Sequence, residues 1–431
     1  MRGPGSLIGR RADRLPLGIQ MVTERTEVTT AELFFDLVFV FAFVQVTTLM
    51  TEDPTALGVV RSLLVLAMLW WAWSLFTWLG NRVKANYGLS RLVLLGATPV
   101  MFVLVITIRE TFDDFPGGLD GPIVFATGYL LVRLLYSALR VYAAPDITWI
   151  DIWALAVPMV AGTGLLFVAA LLPQHLFEKP FHVELAQIGF WALAVLIEYG
   201  TGLGLRMPTR RIFAARHWAE RHRLIMIIAL GESLISIGLG GSDLAISWGL
   251  VWASMVAVVL AGALEWTYFD VVALAGEQSL ATATAEQRVN LARHAYTFLH
   301  LPMIAGVILL SFGLKHTPYF LETESQRPGD PMHGLDLFSL YGGVVLFLLG
   351  TVAFQVRITN LVRTNIWSRL ITALLLLALI PVAGKLPALH ALILLTALTV
   401  TLALVEVKVA GEQRLRLRAT ALAEEPGPAG H

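Results

Sequence analysis

Residues 32–51 read ELFFDLVFVFAFVQVTTLMT, and the only charged side chains in this run are Glu32 and Asp36. An α-helix rises about 1.5 Å per residue, so a run of this length spans the roughly 30 Å hydrocarbon core of a bilayer. The run therefore predicts a membrane-spanning helix. Its two acids are four residues apart and lie on one helix face near the beginning.

Apolar runs of this kind recur along the whole chain. Of its 431 residues 57% are hydrophobic and only 14% are charged, which is more apolar surface than a soluble core of this size hides from water. The predicted spans are 32–51, 56–79, 89–109, 121–143, 149–172, 184–205, 221–240, 246–270, 293–314, 334–357, 367–384 and 387–407. The predicted fold class is an all-α integral membrane protein with about 12 transmembrane helices.

The distribution of basic residues predicts the orientation of these helices. If the N-terminus is inside, 24 of the 31 Lys and Arg residues fall on the inner side, Arg369 at the start of span 11 among them. Six fall outside, and Arg133 lies within a span. Short cytoplasmic loops retain Lys and Arg, so we expect both termini inside and a location in the cell membrane, the inner membrane of a bacterium.

Composition also narrows the classes of partner. The net charge is zero, which argues against nucleic acid as a partner, and the absence of cysteine excludes disulfides and thiolate metal sites. We expect membrane lipids around the chain, an unidentified small solute or ion as ligand, and neither a cofactor nor a metal. A homo-oligomer is left open by the sequence.

Two similar segments predict a division of the chain into halves. Glu32 and Glu220 each precede a long apolar run, and Trp78 and Trp266 follow them at the same offset. The pattern indicates a parallel six-plus-six helix repeat, an arrangement that transporters use with the pathway between the halves. The predicted parts are a basic N-terminal segment (1–31), a first half (32–205), a basic loop (206–220), a second half (221–407) and a cytoplasmic tail (408–431).

Polar and ionisable residues inside the predicted spans are the candidate functional residues, because such groups are costly in a bilayer and commonly mark ion or solute pathways. The candidates are Glu32, Asp36, Arg133, Glu198, Glu232, Ser233, Glu265, His294 and His300. Glu232 is the deepest carboxylate, about 12 residues into span 7.

Four of the five acidic candidates also have a structural interpretation. Glu32 is suited to cap the N-terminus of its helix, and Asp36 to pair with a cation. Glu232 is either neutral or paired with Arg133. Pairing between Arg133 and Glu198 would lower the cost of burying both.

The residues of spans 8 and 9 have comparable alternatives. Trp266 and Tyr268 are expected to anchor span 8 at the membrane interface. His300 is interpreted either as a proton relay or as a histidine hydrogen-bonded to a neighbouring helix. Pro302 frees the carbonyl of Phe298 and is expected to kink span 9.

Four segments in order resemble the landmarks of the bacterial low temperature requirement A (LtrA) family. They are TAELFFDLVFV (30–40), AER (219–221) leading to LGES (230–233), WTYFD (266–270), and His294 through HLPM (300–303). The first is the most specific, and the resemblance as a whole spans roughly residues 20–410. The resemblance implies a multi-pass membrane protein linked by name to growth at low temperature.

The leading functional hypothesis is a transporter-like or channel-like protein with a polar intramembrane site of acidic residues and a histidine. The first alternative is an intramembrane enzyme acting on a lipid, with Glu232 and His300 as an acid–base pair. The second is a non-catalytic membrane scaffold whose polar residues hold helices together. The chain lacks the common hydrolase, metalloprotease and nucleotide-binding motifs, so no catalytic residue is assigned.

Overall fold

A computed structural model describes residues 14–15, 18–24, 26–144, 147–204, 212–242, 244–318, 330–358, 365–409 and 411. The predicted basic N-terminal segment up to residue 13, residues 206–211 of the predicted basic loop, and the predicted tail beyond residue 411 lie outside the described residues.

The described chain is almost entirely helical. The exception is a two-residue antiparallel pair formed by β1 (Arg14–Leu15) and β2 (Ile19–Gln20). The helices are α1 (Thr30–Glu52), α2 (Ala56–Gly80), α3 (Gly88–Ile106), α4 (Gly121–Tyr142), α5 (Trp149–Leu171), α6 (Pro173–Leu176), α7 (Pro180–Gly204), α8 (Ala215–Ser242), α9 (Trp248–Phe269), α10 (Val272–Thr282), α11 (Ala285–Leu291), α12 (His300–Lys315), α13 (Gly334–Ile358), α14 (Ile366–Ala383) and α15 (Ala388–Val409).

Within the described residues, 12 helical segments are long and apolar enough to cross a membrane, which confirms the predicted number of spans. Local sequence explains where several of them begin. Thr148 and Asp151 form a reciprocal capping box at the start of α5. The side chains of Asp120 and Ser247 cap α4 and α9 by accepting one backbone N–H bond each. The chain is therefore an all-α multi-pass membrane protein.

The connection between spans 8 and 9 contains structure that the sequence prediction left out. Two short helices, α10 and α11, follow α9, and a π-helix over Ala292–Phe298 then leads into α12. Pro302 has no N–H, so the carbonyl of Phe298 loses its usual helical donor. The π-helix ends at this residue, and Thr297 Oγ1 donates to Ala292 O at 3.1 Å within it. The predicted irregularity of span 9 therefore takes the form of a π-helix, a feature common at functional sites.

The described residues divide into two compact units. Unit 1 comprises those of Met1–Ala42 and Leu64–Trp218, and unit 2 comprises those of Phe43–Leu63 and Ala219–His431. In unit 1, α4 packs on α3 and α5, and α5 packs on α7. In unit 2, α13 packs on α12 and α14, and α15 packs on α9 and α14. The predicted halves, their repeat and their orientation in the membrane stay predictions.

Small residues allow the closest helix contact in unit 2. A Cβ atom at Gly306 of α12 would lie 2.6 Å from the carbonyl oxygen of Gly343 in α13, and one at Gly313 would lie 2.6 Å from Leu340 N. Larger side chains at these positions would push the backbones apart. Small residues have this role in many membrane helix pairs, because lipid offers no hydrophobic force between helices.

Candidate functional site

Glu232 lies in the middle of α8, and its side chain is completely buried. Its Oε1 atom accepts a 2.5 Å hydrogen bond from Ser236 Oγ, one helical turn further on. Its Oε2 atom has no hydrogen-bond partner among the described residues. A buried carboxylate with an unsatisfied oxygen is costly, and a proton or a cation at that oxygen would relieve the cost.

Hydroxyl groups and one ammonium group surround this carboxylate within unit 2. Ser233 Oγ lies 2.9 Å from Ser311 Oγ of α12. Ser311 donates its single hydroxyl hydrogen to Val307 O at 3.0 Å, so Ser233 is the donor to Ser311. Lys315, at the end of α12, also interacts electrostatically with the Glu232 carboxylate. The cluster therefore combines one carboxyl group and one amino group with neutral hydroxyls.

His300 forms a second buried cluster at the start of α12. Its Nδ1 atom lies 3.3 Å from Ala295 O, which assigns a hydrogen to Nδ1 and leaves Nε2 as an acceptor. Tyr268 Oη of α9 lies 2.8 Å from Nε2 and is therefore the donor. The ring of Tyr296 stacks on the imidazole at 5.3 Å, and His222 of α8 meets it edge-on at 5.0 Å. The predicted hydrogen bond from His300 to a neighbouring helix is confirmed.

The two clusters lie at different levels along the same pair of helices. His222 faces His300, and Ser233 faces Ser311, so residues 78 positions apart are opposite each other at both levels. Helices α8 and α12 therefore run parallel in a constant register. Eleven residues separate the two levels, which corresponds to about 16 Å along the helices. At this separation Glu232 and His300 cannot exchange a proton directly, so their interpretation as an acid–base pair is wrong.

Glu32 links three segments at one end of unit 1. Its Oε2 atom accepts hydrogen bonds from the backbone N–H and the hydroxyl of Thr29, each at 2.9 Å, which confirms the predicted helix cap. Its Oε1 atom lies 3.0 Å from His217 Nε2 of α8. Asn81, after α2, contacts His217 Nδ1 at 3.4 Å and donates to Ala214 O at 2.7 Å. Glu32 is 1% exposed and so lies inside the protein rather than at its surface.

Asp36 lies one turn further along α1 and is also buried. Its Oδ1 atom accepts a 2.8 Å hydrogen bond from the indole Nε1–H of Trp73 in α2. The donor to this oxygen is neutral, and the predicted pairing of Asp36 with a cation stays a prediction. An indole N–H stabilises a carboxylate without neutralising it.

Arg133 and Glu198 form a buried ion pair between α4 and α7. Arg133 Nη2 lies 3.1 Å from Glu198 Oε2, and both side chains are at most 3% exposed. Tyr129 Oη donates to Glu198 Oε1 at 3.3 Å. The predicted pairing of these two residues is confirmed, and pairing of Arg133 with Glu232 is wrong because this guanidinium is held by Glu198.

Glu265 and His294 are not part of the buried clusters. Glu265 lies on an exposed face of α9. His294 is half-buried in the π-helix, where its Nε2 atom lies 3.1 Å from Arg293 Nη2 and its ring stacks on Phe298. The nine candidates therefore fall into separate groups, with Glu232 and Ser233 together, His300 at another level of unit 2, and four residues in unit 1.

Sequence reasoning missed several partners of these groups. Tyr268 was expected at the membrane interface, yet it is 1% exposed and bonded to His300. Arg369 was counted with the cytoplasmic loops, yet its buried guanidinium contacts Glu406 at 2.6 and 2.8 Å and Thr267 O at 2.6 Å. The sequence could have predicted this ion pair, because Arg369 lies inside predicted span 11 and Glu406 inside predicted span 12.

Comparison with known proteins agrees with this architecture. The family model described as bacterial low temperature requirement A protein (LtrA) matches residues 27–404. A similar sequence, 27% identical over 348 residues and covering 77% of each chain, is an uncharacterized protein of Rhizobium meliloti strain 1021. No solved structure matches the chain. Because the family model spans most of the sequence, including both segments that carry Glu32 and Glu232, the chain belongs to the bacterial low temperature requirement A family.

Proposed function

We propose that this protein is a transporter-like or channel-like protein that moves a small solute or ion across the membrane, with Glu232 as its central binding group. The observation that carries the proposal is the fully buried Glu232 carboxylate, whose Oε2 atom has no partner among the described residues. A group that only stabilised the fold would be expected to have all its hydrogen-bonding capacity satisfied by protein. An ionisable group at this depth that keeps one free oxygen is suited to an exchangeable ligand.

The arrangement of polar and apolar residues along α8 and α12 supports the proposal. The His300 level and the Glu232 level are separated by residues 224–231 of α8 and 301–310 of α12, and all of these residues are apolar. An apolar stretch between two polar levels has the form of a hydrophobic gate, which limits the passage of water and ions until it is wetted. We propose that solute or protons pass between the two levels when this stretch opens.

The Lys315 ammonium group competes with any cation that binds at Glu232. It interacts with the Glu232 carboxylate from the end of α12, one turn beyond Ser311. A positively charged ligand at Glu232 would displace this interaction. The site therefore favours a proton or a small cation over an anion.

The remaining candidates have different proposed roles. Arg133 and Glu198 neutralise each other in unit 1, which suits a structural role. Asp36, which accepts a hydrogen bond from the indole of Trp73, is the unit 1 carboxylate that we propose to contact a passing cation. Glu32 is proposed to organise the helix ends around His217.

Flux into proteoliposomes tests the proposal. The purified full-length chain is reconstituted, and the uptake of a panel of monovalent cations, protons and small neutral solutes is compared for wild type, Glu232→Gln and Glu286→Gln. Losing a charge-assisted hydrogen bond costs about 1.5–3 kcal/mol, so Glu232→Gln is expected to lower the flux about tenfold or more. Glu286 is exposed on α11, and its substitution is the matched control.

Two results would contradict the proposal. One is equal flux in wild type and Glu232→Gln. The other is wild-type flux no higher than that of protein-free vesicles for every solute in the panel. If Glu232→Gln instead fails to fold while showing no separable loss of flux in the folded fraction, the scaffold alternative is favoured.

A further inference from the structure

A cavity of about 450 Å³ lies at one end of unit 2, apart from both buried clusters. Its wall is formed by α10, α11 and the last turn of α13, and it includes Ser279, Gln287, Asn290 and Arg357. None of the predicted site residues lines it. Its volume lies in the range of about 300–1,000 Å³ that is usual for small-molecule sites.

The hydrogen bonds around the cavity leave amide donors facing it. Gln287 Oε1 already accepts the N–H of Thr284 at 3.0 Å, as part of the capping box of α11. Asn290 Oδ1 already accepts from Arg293 Nη2 at 3.2 Å. Since the oxygen of each amide is engaged, each side chain offers its NH₂ group to the cavity.

Among the described residues that line the cavity, the one charged side chain is basic. Arg357 contributes an exposed guanidinium to the wall. Glu277, the one acidic residue of α10, is engaged by Arg223 at 3.4 Å. A guanidinium with two amide NH₂ groups matches the oxygens of a phosphate, to which arginine binds by paired hydrogen bonds.

The hydroxyl groups in the wall offer hydrogen-bond acceptors rather than donors. Ser279 donates its hydrogen to Ala275 O at 2.6 Å, and Thr282 donates to Gln278 O at 2.9 Å. Both hydroxyl oxygens therefore remain as acceptors. They suit a ligand in which a hydroxyl group lies next to the phosphate, as in the glycerol head group of an anionic phospholipid.

We infer that this cavity is a phosphate-binding site, held by Arg357, Gln287 and Asn290. Its position between the ends of spans 8, 9 and 10 lies on the membrane face that the charge distribution predicts to be cytoplasmic, where basic pockets between helices bind lipid head groups. The two sources of such a phosphate are an anionic lipid head group and free phosphate in solution. The inference is independent of whether Glu232 conducts a solute.

Lipid retention by the full-length protein tests the inference. The protein is purified from nanodiscs that contain phosphatidylglycerol and phosphatidylcholine in equal amounts, and the retained lipid is counted by native mass spectrometry. We expect one phosphatidylglycerol to be retained in preference to phosphatidylcholine by wild type. Arg357→Gln is expected to weaken that preference about tenfold, or about 1.4 kcal/mol.

Two further variants and a second probe complete the test. Gln287→Leu with Asn290→Leu removes the amide donors and is expected to have a similar effect. Arg91→Gln makes the same charge change at an exposed residue of α3 and should behave as wild type. Inorganic phosphate is titrated by calorimetry in parallel. Saturable phosphate binding that Arg357→Gln abolishes assigns the site to free phosphate. Preferential retention of phosphatidylglycerol with no saturable phosphate binding assigns the site to a lipid head group.

The inference is wrong if Arg357→Gln retains phosphatidylglycerol and binds phosphate as wild type does. It is also wrong if wild type shows neither a preference for the anionic lipid nor saturable phosphate binding. Because Arg357 is exposed on the last turn of α13, its substitution is expected to leave the thermal stability of the detergent-solubilised protein unchanged, and that measurement accompanies each binding assay.

Discussion

Replacing Arg133 with methionine should destabilise unit 1 because it leaves Glu198 as a buried carboxylate without its cation. The two charged atoms are 3.1 Å apart, and both side chains are almost fully buried. Coulomb's law with an effective dielectric constant of about 20 gives roughly 5 kcal/mol at this distance. Breaking a buried pair by removing one partner costs about 3–5 kcal/mol, so Arg133→Met should lower the free energy of unfolding by that amount.

The double variant Arg133→Met/Glu198→Gln removes the stranded charge and should recover most of the loss, to within about 2 kcal/mol of wild type. The free energy of unfolding is measured by titrating dodecyl sulfate into mixed micelles. Arg91→Met, at an exposed position of α3, is the control and should change stability by no more than about 0.5 kcal/mol. A loss below about 1 kcal/mol in Arg133→Met, or a double variant as unstable as the sum of the two single variants, would refute the reasoning.

Three further substitutions, one of them a control, probe unit 2 with the same assay. Gly306→Ala should lower the free energy of unfolding by about 1–3 kcal/mol because its Cβ would lie 2.6 Å from backbone atoms of α13. Gly342→Ala, where an added Cβ meets nothing within 4 Å, should be neutral or slightly stabilising, and equal losses in the two variants would show that backbone proximity is not the cause. Tyr268→Phe should cost about 1 kcal/mol because it leaves the buried His300 Nε2 without its donor, and an unchanged free energy would mean that this bond contributes nothing.

The positions of the spans were predictable because each depends on local sequence alone. Hydrophobic length fixes where a helix crosses a bilayer, and α1, α2 and α4 begin within two residues of their predicted positions. The helix cap at Glu32 was predictable for the same reason, since its partner Thr29 is three residues away. The short helices α10 and α11 were missed because they lie outside the apolar runs.

Most partners within the candidate site were not predictable, because they are distant in sequence. His217 is 185 residues from Glu32, and Ser311 is 78 residues from Ser233. Such contacts depend on which helices are neighbours, and hydrophobic periodicity does not specify this. The pairing of Arg133 with Glu198 was predictable only because few opposite charges were available within the spans, which also made Glu232 a plausible but wrong partner.

Chemical modification of Glu232 in a transporting membrane tests the central claim most directly. A membrane-permeant carbodiimide, which reacts with protonated carboxyl groups away from water, is applied to reconstituted vesicles, and the modified fraction of Glu232 is measured by mass spectrometry alongside the flux. The proposed role predicts that flux falls in proportion to the modified fraction and that the residual flux of Glu232→Gln is insensitive to the reagent. Unchanged flux with Glu232 largely modified, or equal inhibition of wild type and Glu232→Gln, would contradict it.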